Sequence, residues 1–144
     1  MKVEKFKDIT IGYMRRVGEY GSENEKLMET FKDFLKENGM LHDELVLLGI
    51  ALDNPAIVPA KEQRYDVGVI LEDNTETILD TRKIDDGNYA IFEVPHTRQG
   101  VISFWQNLPQ LTAGLSIDYE KPIIERYSME KVSNHLCEFC IPLK

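Results

Sequence analysis

The sequence predicts an α+β domain in which two βαββ units, related by pseudo-two-fold symmetry, form one antiparallel sheet system. Segments with strand and helix patterns occur in the order strand, helix, strand, strand, and this order then repeats. Corresponding elements are separated by a nearly constant offset of about 75 residues, which is typical of a duplicated unit. The length of 144 residues and the 42% of hydrophobic residues suit one domain, 1–144, with halves of about 1–72 and 76–144.

The first half opens with a strand over 9–17, where β-branched and aromatic residues mix with polar ones. A helix over about 22–38 follows, because Ser22 and Glu25 have the spacing of a capping box and Gly39 stands where a glycine ends a helix. Its apolar stripe consists of Leu27, Met28, Phe31, Phe34 and Leu35.

Two more strands complete the first half. Residues 45–52, LVLLGIAL, are apolar throughout and predict a buried strand. After a loop that begins at Asp53, residues 65–71 alternate, so that Tyr65, Val67, Val69 and Leu71 share one face. Asp73-Asn74 then predicts a turn or linker.

The second half repeats this pattern with strands over 89–94, 123–128 and 136–143. A helix over about 98–113 carries an apolar stripe of Val101, Trp105, Leu108, Leu111 and Leu115. Pro109 predicts a kink or a break in it, because proline removes a backbone donor and crowds the preceding turn. With both helices on one side, the opposite face of the sheet and the seam between the halves are predicted to form a ligand groove.

Composition excludes several classes of function. The net charge of −8 argues against unaided binding of nucleic acid or of an anionic membrane. No apolar run reaches the length of a membrane span, and MKVEKFKDIT lacks the apolar core of a secretory signal, so we expect a cytoplasmic protein. Cys137 and Cys140 stand three apart on a strand and therefore point to opposite faces, which predicts neither a metal site nor a disulfide. We expect no cofactor.

Glu125 is the strongest candidate for a functional group. Period two places it with Ile123 and Tyr127 on one face of a strand. A solvated glutamate balanced by Arg126 is the simpler interpretation from the residues alone. Tyr65 and Trp105 are candidates for a pocket wall, since both offer a flat apolar surface with one polar group. For Tyr65 an ordinary core position fits equally well, and for Trp105, on the apolar stripe of a helix, core packing is the simpler interpretation.

Several motifs resemble the GyrI-like family. LLGIALDNPAIVPAKEQRYDVGVIL is similar to its central motif of a glycine, Asp-x-Pro and Arg-Tyr-Asp, while GNYAIFEV, PIIERY and CEFCIPLK are similar to later strands of the family. The resemblance implies a domain like the effector-binding portions of AraC- and MerR-type transcription regulators. No helix-turn-helix segment accompanies it here, so we expect no DNA-binding domain and no direct contact with nucleic acid.

The resemblance also implies a site and its ligand. Glu125 would lie in a pocket for a hydrophobic or cationic small molecule, with Tyr65, Trp105 and Tyr127 as walls. Cys140 stands where many relatives carry a tyrosine and is therefore included among the ligand-binding residues. Two alternatives stay open: a hydrolase of cyclopropane-bearing DNA alkylators that uses Glu125, and an acidic partner of DNA gyrase or of a separate transcription regulator.

Overall fold

A computed structural model describes residues 1–72 and 75–144 of the chain. Within these residues lie eight strands, two long helices, one short helix and one 3-10 turn. The strands are β1 Lys2–Phe6, β2 Thr10–Val17, β3 Val46–Ala51, β4 Arg64–Leu71, β5 Asp80–Lys83, β6 Gly87–Pro95, β7 Ile124–Ser128 and β8 Leu136–Pro142. The helices are α1 Ser22–Glu37, α2 Arg98–Leu111 and α3 Met129–Ser133, and the 3-10 turn is Ala60–Glu62. The turn predicted at Asp73-Asn74 lies outside the described residues.

All eight strands form one antiparallel sheet in the order β1-β6-β8-β7-β3-β4-β2-β5. The order reads the same from either edge when the strands of one half are exchanged for those of the other, as the predicted duplication requires. The seam between the halves is the central pair β3–β7. The edge strands β1 and β5, which the sequence analysis did not predict, each pair with the opposite half: β1 with β6, and β5 with β2.

Both long helices lie on the same face of the sheet, as predicted. Phe31 of α1 packs with Leu47 and Val67, whereas Phe104 of α2 packs in a second cluster that contains Phe139. The opposite face is not free, contrary to the prediction, because it is filled by a core of its own. That core consists of Phe6, Ile11, Leu48, Ile50, Ile84, Tyr89, Ile91, Ile124 and Cys140. The strip of β3 and β7 between α1 and α2 is called the seam below.

Helix α1 begins and ends where predicted, but only its C-terminal end is capped as predicted. Gly39 has φ +68° and follows the helix, with its N–H 3.2 Å from the Lys36 carbonyl, and the N–H of Met40 lies 2.8 Å from the Leu35 carbonyl. These bonds form a Schellman motif, which favours glycine at this position. The predicted capping box is absent: Ser22 already lies inside the helix, Gly21 precedes it, and no side chain caps this end within the described residues.

Helix α2 runs through Pro109 to Leu111, so the predicted break is absent. Proline lies in the last turn, where its missing N–H leaves one carbonyl without a helical partner and the helix ends two residues later. The buried residue of α2 is Phe104, which is not part of the predicted stripe, while Trp105 and Leu111 of that stripe are each 43% exposed. None of the helices in the described part of the chain has the length and apolarity needed to cross a lipid bilayer.

Candidate ligand-binding site

The centre of the candidate site is the register of the two central strands. Gly49 of β3 lies directly opposite Glu125 of β7, and Leu47 lies opposite Tyr127. The alternation of β7 turns Glu125 and Tyr127 toward the face that carries the helices. Tyr127 packs against the clusters of both α1 and α2, so the Glu125 carboxyl group lies at the seam.

The Glu125 carboxyl group is partly buried and accepts a short hydrogen bond from the Tyr127 hydroxyl on Oε2. Burial raises the pKa of Glu125, and the bond from Tyr127 offsets only part of that effect. Burial also raises the pKa of Tyr127, so its hydroxyl keeps the proton that it donates. No arginine, lysine or histidine among residues 1–72 and 75–144 forms an ion pair with Glu125.

Arg126 does not balance the charge of Glu125, although it is the next residue. Its side chain points to the other face of the sheet, where Nη1 lies 2.9 Å from Glu4 and Nε lies 3.0 Å from Glu138. These two carboxylates hold the guanidinium in place. The interpretation of Glu125 as a solvated glutamate balanced by Arg126 is therefore wrong.

On the α1 side, the site is bounded by Tyr65, which is only 6% exposed. A Cβ atom at Gly49 would collide with the Tyr65 hydroxyl and would lie 3.3 Å from Oε2 of Glu125. The absence of a side chain at Gly49 thus makes room for the phenol beside the carboxyl group. The ring of Tyr20 packs edge-on behind Tyr65, with centroids 6.3 Å apart.

On the α2 side, a stacked pair of aromatic rings and a third ring edge-on to both form one cluster. Phe139 is the neighbour of Glu125 on β8, and Phe104 stacks on it with centroids 4.3 Å apart. The Trp105 indole meets the same Phe139 ring edge-on at 5.3 Å and is partly exposed. The carboxyl group therefore lies between a phenol wall and an aromatic stack, a setting that attracts organic cations.

The full length of the chain, residues 1–144, matches the family described as a GyrI-like small molecule binding domain. The chain belongs to this family. The GyrI-like chain is also 40% identical to the "SPbeta prophage-derived putative transcriptional regulator YosT" of Bacillus subtilis (strain 168), in an alignment of 146 positions that covers 99% of this chain and 97% of the relative.

Solved structures share the fold of this GyrI-like domain. SAV2435, solved with bound tetraphenylphosphonium, superimposes with a TM-score of 0.64 at 16% identity and covers 99% of this chain and 93% of its own. The Vibrio cholerae integron cassette protein VCH_CASS2 superimposes with a TM-score of 0.57 at 17% identity, covering 99% of this chain and 95% of its own. At these identities the likeness concerns the fold alone.

Of the five residues predicted to bind ligand, the structure brings three to the seam of the GyrI-like domain and a fourth to its α2 side. Glu125, Tyr127 and Tyr65 surround Gly49, and Trp105 lies one strand away over Phe139. Cys140 is fully buried in the core on the opposite face, because it alternates with Phe139 along β8. It does not reach the site.

Phe104 and Phe139 border the site but are not among the residues predicted for it. The alternation of β8 places Phe139 on the face away from Cys140, but choosing between those faces requires the pairing of β8 with β7. The two cysteines lie in different clusters and are free thiols, as the strand geometry predicted. No group of three potential metal ligands occurs in the described residues.

Proposed function

We propose that this GyrI-like domain binds hydrophobic organic cations at the seam, with the Glu125 carboxylate opposite the ligand's charge. The observation that carries this proposal is a partly buried carboxyl group with no cationic partner in the described chain. A buried charge without a partner is unfavourable, and a ligand cation provides that partner. Tyr65, Tyr127 and Trp105 surround the ligand and add attraction between the cation and the faces of their rings.

The proposal extends to a role in sensing or sequestering such compounds. The name of the Bacillus subtilis relative supports a link to transcription regulation, and the tetraphenylphosphonium complex of SAV2435 supports a cationic ligand. We place this role in the cytoplasm. A signal would pass to a separately encoded regulator or to DNA gyrase as partner, with no direct contact between this domain and nucleic acid. Co-purification with each partner, with and without ligand, tests that step.

Titration of tetraphenylphosphonium against the wild type and Glu125→Gln tests the function. We expect micromolar affinity, about −8 kcal/mol, in the wild type. Glutamine keeps the shape and the bond from Tyr127 but loses the charge, so the variant should lose about 1–3 kcal/mol. Triphenylphosphine oxide serves as the neutral ligand and should lose much less.

Glu44→Gln provides the matched control, since it removes the same charge from an exposed position outside the sheet. Its affinity for tetraphenylphosphonium should equal that of the wild type. Equal losses of the cation and the neutral ligand in Glu125→Gln would indicate a packing defect and contradict charge recognition.

The raised pKa of Glu125 favours hydrolysis of strained electrophiles as a second candidate function. A carboxyl group whose pKa is raised by burial keeps its proton to a higher pH than an exposed one and can deliver it to a leaving atom as a general acid. Incubation with a cyclopropane-bearing alkylator, followed by mass spectrometry of the products, tests this candidate. Turnover by the wild type that is lost in Glu125→Gln supports it, whereas binding without product formation contradicts it.

A further inference from the structure

The hydroxyl of Tyr65 has an unusual environment. Buried tyrosine hydroxyls normally find a hydrogen-bond partner, and those of Tyr20, Tyr89 and Tyr127 each donate to a protein oxygen. Tyr65 is only 6% exposed, yet its hydroxyl bonds to no atom of residues 1–72 or 75–144. No fully buried side-chain oxygen or nitrogen in the described residues lacks a partner, so this hydroxyl oxygen must lie at the accessible surface, where a ligand can reach it. A buried ring with a free, accessible hydroxyl requires an explanation.

The position of this hydroxyl provides one. It lies over the backbone of Gly49, beside the Glu125 carboxyl group. Oε2 of Glu125 is occupied by Tyr127, whereas Oε1 accepts no hydrogen bond from the described chain. Burial raises the pKa of Tyr65, so its oxygen is that of a neutral phenol, which can accept a hydrogen bond. Two free acceptors thus lie at the same point of the seam.

We propose that Tyr65 selects ligands that carry an N–H group on the charged atom, by accepting one N–H while another is donated to Glu125. This inference rests on the proposed function and names its ligand class: hydrophobic protonated amines. A primary ammonium group directs its N–H bonds to separate acceptors, and charge-assisted hydrogen bonds are the stronger kind. A quaternary cation has no N–H and can use only the charge and the rings.

The test compares two probes, 1-naphthylmethylammonium and its N,N,N-trimethyl analogue, in the wild type and in Tyr65→Phe. Differences in size and hydration between the probes cancel, because each probe is compared only with itself across the two proteins. Calorimetric titration should show that Tyr65→Phe weakens the ammonium probe by about tenfold. The trimethyl probe should change by less than about twofold, since it makes no hydrogen bond to lose.

The outcomes separate this inference from the proposed function. Equal losses for the two probes, or none for either, would overturn the role of Tyr65. In that case the proposed function still stands, without the role of Tyr65, provided that the trimethyl probe loses affinity in Glu125→Gln. If neither probe is weakened in Glu125→Gln, both proposals fail.

Thermal unfolding provides a second readout. Tyr65→Phe removes a hydroxyl that has no partner, so its melting temperature should equal or exceed that of the wild type. Tyr20→Phe is the matched control, because the Tyr20 hydroxyl lies 2.7 Å from the Arg64 carbonyl and 3.0 Å from the Asp53 N–H. That variant should melt about 3 °C lower. An equal decrease in Tyr65→Phe would reveal an internal partner and overturn the inference.

Discussion

Glu125 has a pKa raised by burial, and this has a consequence for stability as well as for binding. An acid whose pKa is higher in the folded state than in the unfolded chain stabilises the fold fully below its unfolded value, about 4.3. That contribution is lost as the pH rises through the folded pKa. The ligand-free protein therefore becomes less stable when Glu125 ionises.

Glu125→Gln should accordingly stabilise the ligand-free protein at pH 8, raising the melting temperature by about 3 °C. The difference should shrink as the pH falls toward 4, where the wild-type carboxyl group is protonated as well. Differential scanning calorimetry across this range measures it. Ionisation of Glu4 has the opposite effect on stability, because Arg126 lowers the pKa of this carboxyl group to about 2. That effect is the same in the wild type and in Glu125→Gln, so it does not change the difference between them. A variant that melts below the wild type at pH 8 would contradict the expectation.

The affinity for cations should increase as the pH rises and Glu125 ionises. The ligand favours the ionised carboxylate, so a protonated Glu125 must release its proton when the cation binds. Affinity for tetraphenylphosphonium should increase with pH by up to about tenfold per unit below the pKa of Glu125. Calorimetry in two buffers of different ionisation enthalpy counts the released proton. An affinity that is flat between pH 5 and 8, without proton release, contradicts this prediction.

Gly49→Ala should remove most of the binding. The new methyl group would displace the Tyr65 hydroxyl and crowd Glu125, so we expect a loss of at least about tenfold for tetraphenylphosphonium. Gly68→Ala is the control, because its methyl group would meet Ile11 on the opposite face of the sheet. That variant should lose stability but keep its affinity when folded. Unchanged binding in Gly49→Ala would show that the ligand binds elsewhere.

At this scale, residues on β7 were predictable and residues on α2 were not. Period two and the family resemblance placed Glu125 and Tyr127 on one face, and the sheet register bears out that shared face. The spacing of apolar residues in a helix predicts which residues face the core only to within about one residue. The pattern therefore places Trp105 on the buried stripe, whereas the buried residue is its neighbour Phe104. Which face of β8 meets the site depends on pairing between distant strands, so Cys140 was misplaced.

At the scale of elements, one carboxylate links strand β4 to its neighbour β2 and to the edge strand β5 beyond it. Asp66 is fully buried and accepts hydrogen bonds from Arg15 of β2 at 2.7 Å and from Arg82 of β5 at 2.8 Å. Both guanidinium groups are partly buried, so they depend on this carboxylate for their charge balance. The ion-pair cluster therefore fixes an edge strand that comes from the other half of the chain.

Asp66→Asn should destabilise the fold by about 3 kcal/mol, because it leaves two partly buried cations without their anion. Urea denaturation measures the loss. Asp8→Asn removes an exposed ion pair with Lys83, and asparagine tolerates the left-handed backbone at that residue, so this control should lose less than about 1 kcal/mol. Equal losses in the two variants would show that the cluster does not hold the sheet.

The elements with strong local patterns were predictable, and those that depend on the other half were not. Helix α1 and strands β3 and β4 have regular apolar spacing and lie within a residue or two of their predicted positions. KVEKF and DTRK, the edge strands β1 and β5, contain mainly charged residues, as edge strands often do. Their partners lie about 80 residues away, so no local pattern marks them as strands.

At the scale of the whole molecule, the exchange of edge strands makes each half depend on the other. β1 completes the sheet of the second half, and β5 completes the sheet of the first. Separately produced fragments 1–72 and 75–144 should therefore be largely unfolded alone. Mixed together, they should recover the circular dichroism of the whole chain. A cooperative unfolding transition in either isolated fragment would show that the halves are independent domains.

Gly49 and Glu125 occupy equivalent places in the two halves and lie opposite each other at the axis that relates them. A homodimer of half-length chains would have to place the same residue at both positions. Two glycines would leave space without charge, and two glutamates would set like charges side by side and fill the space. Fusion into one chain lets the two positions carry different residues, so that Gly49 leaves space for a ligand and Glu125 provides the negative charge that attracts it.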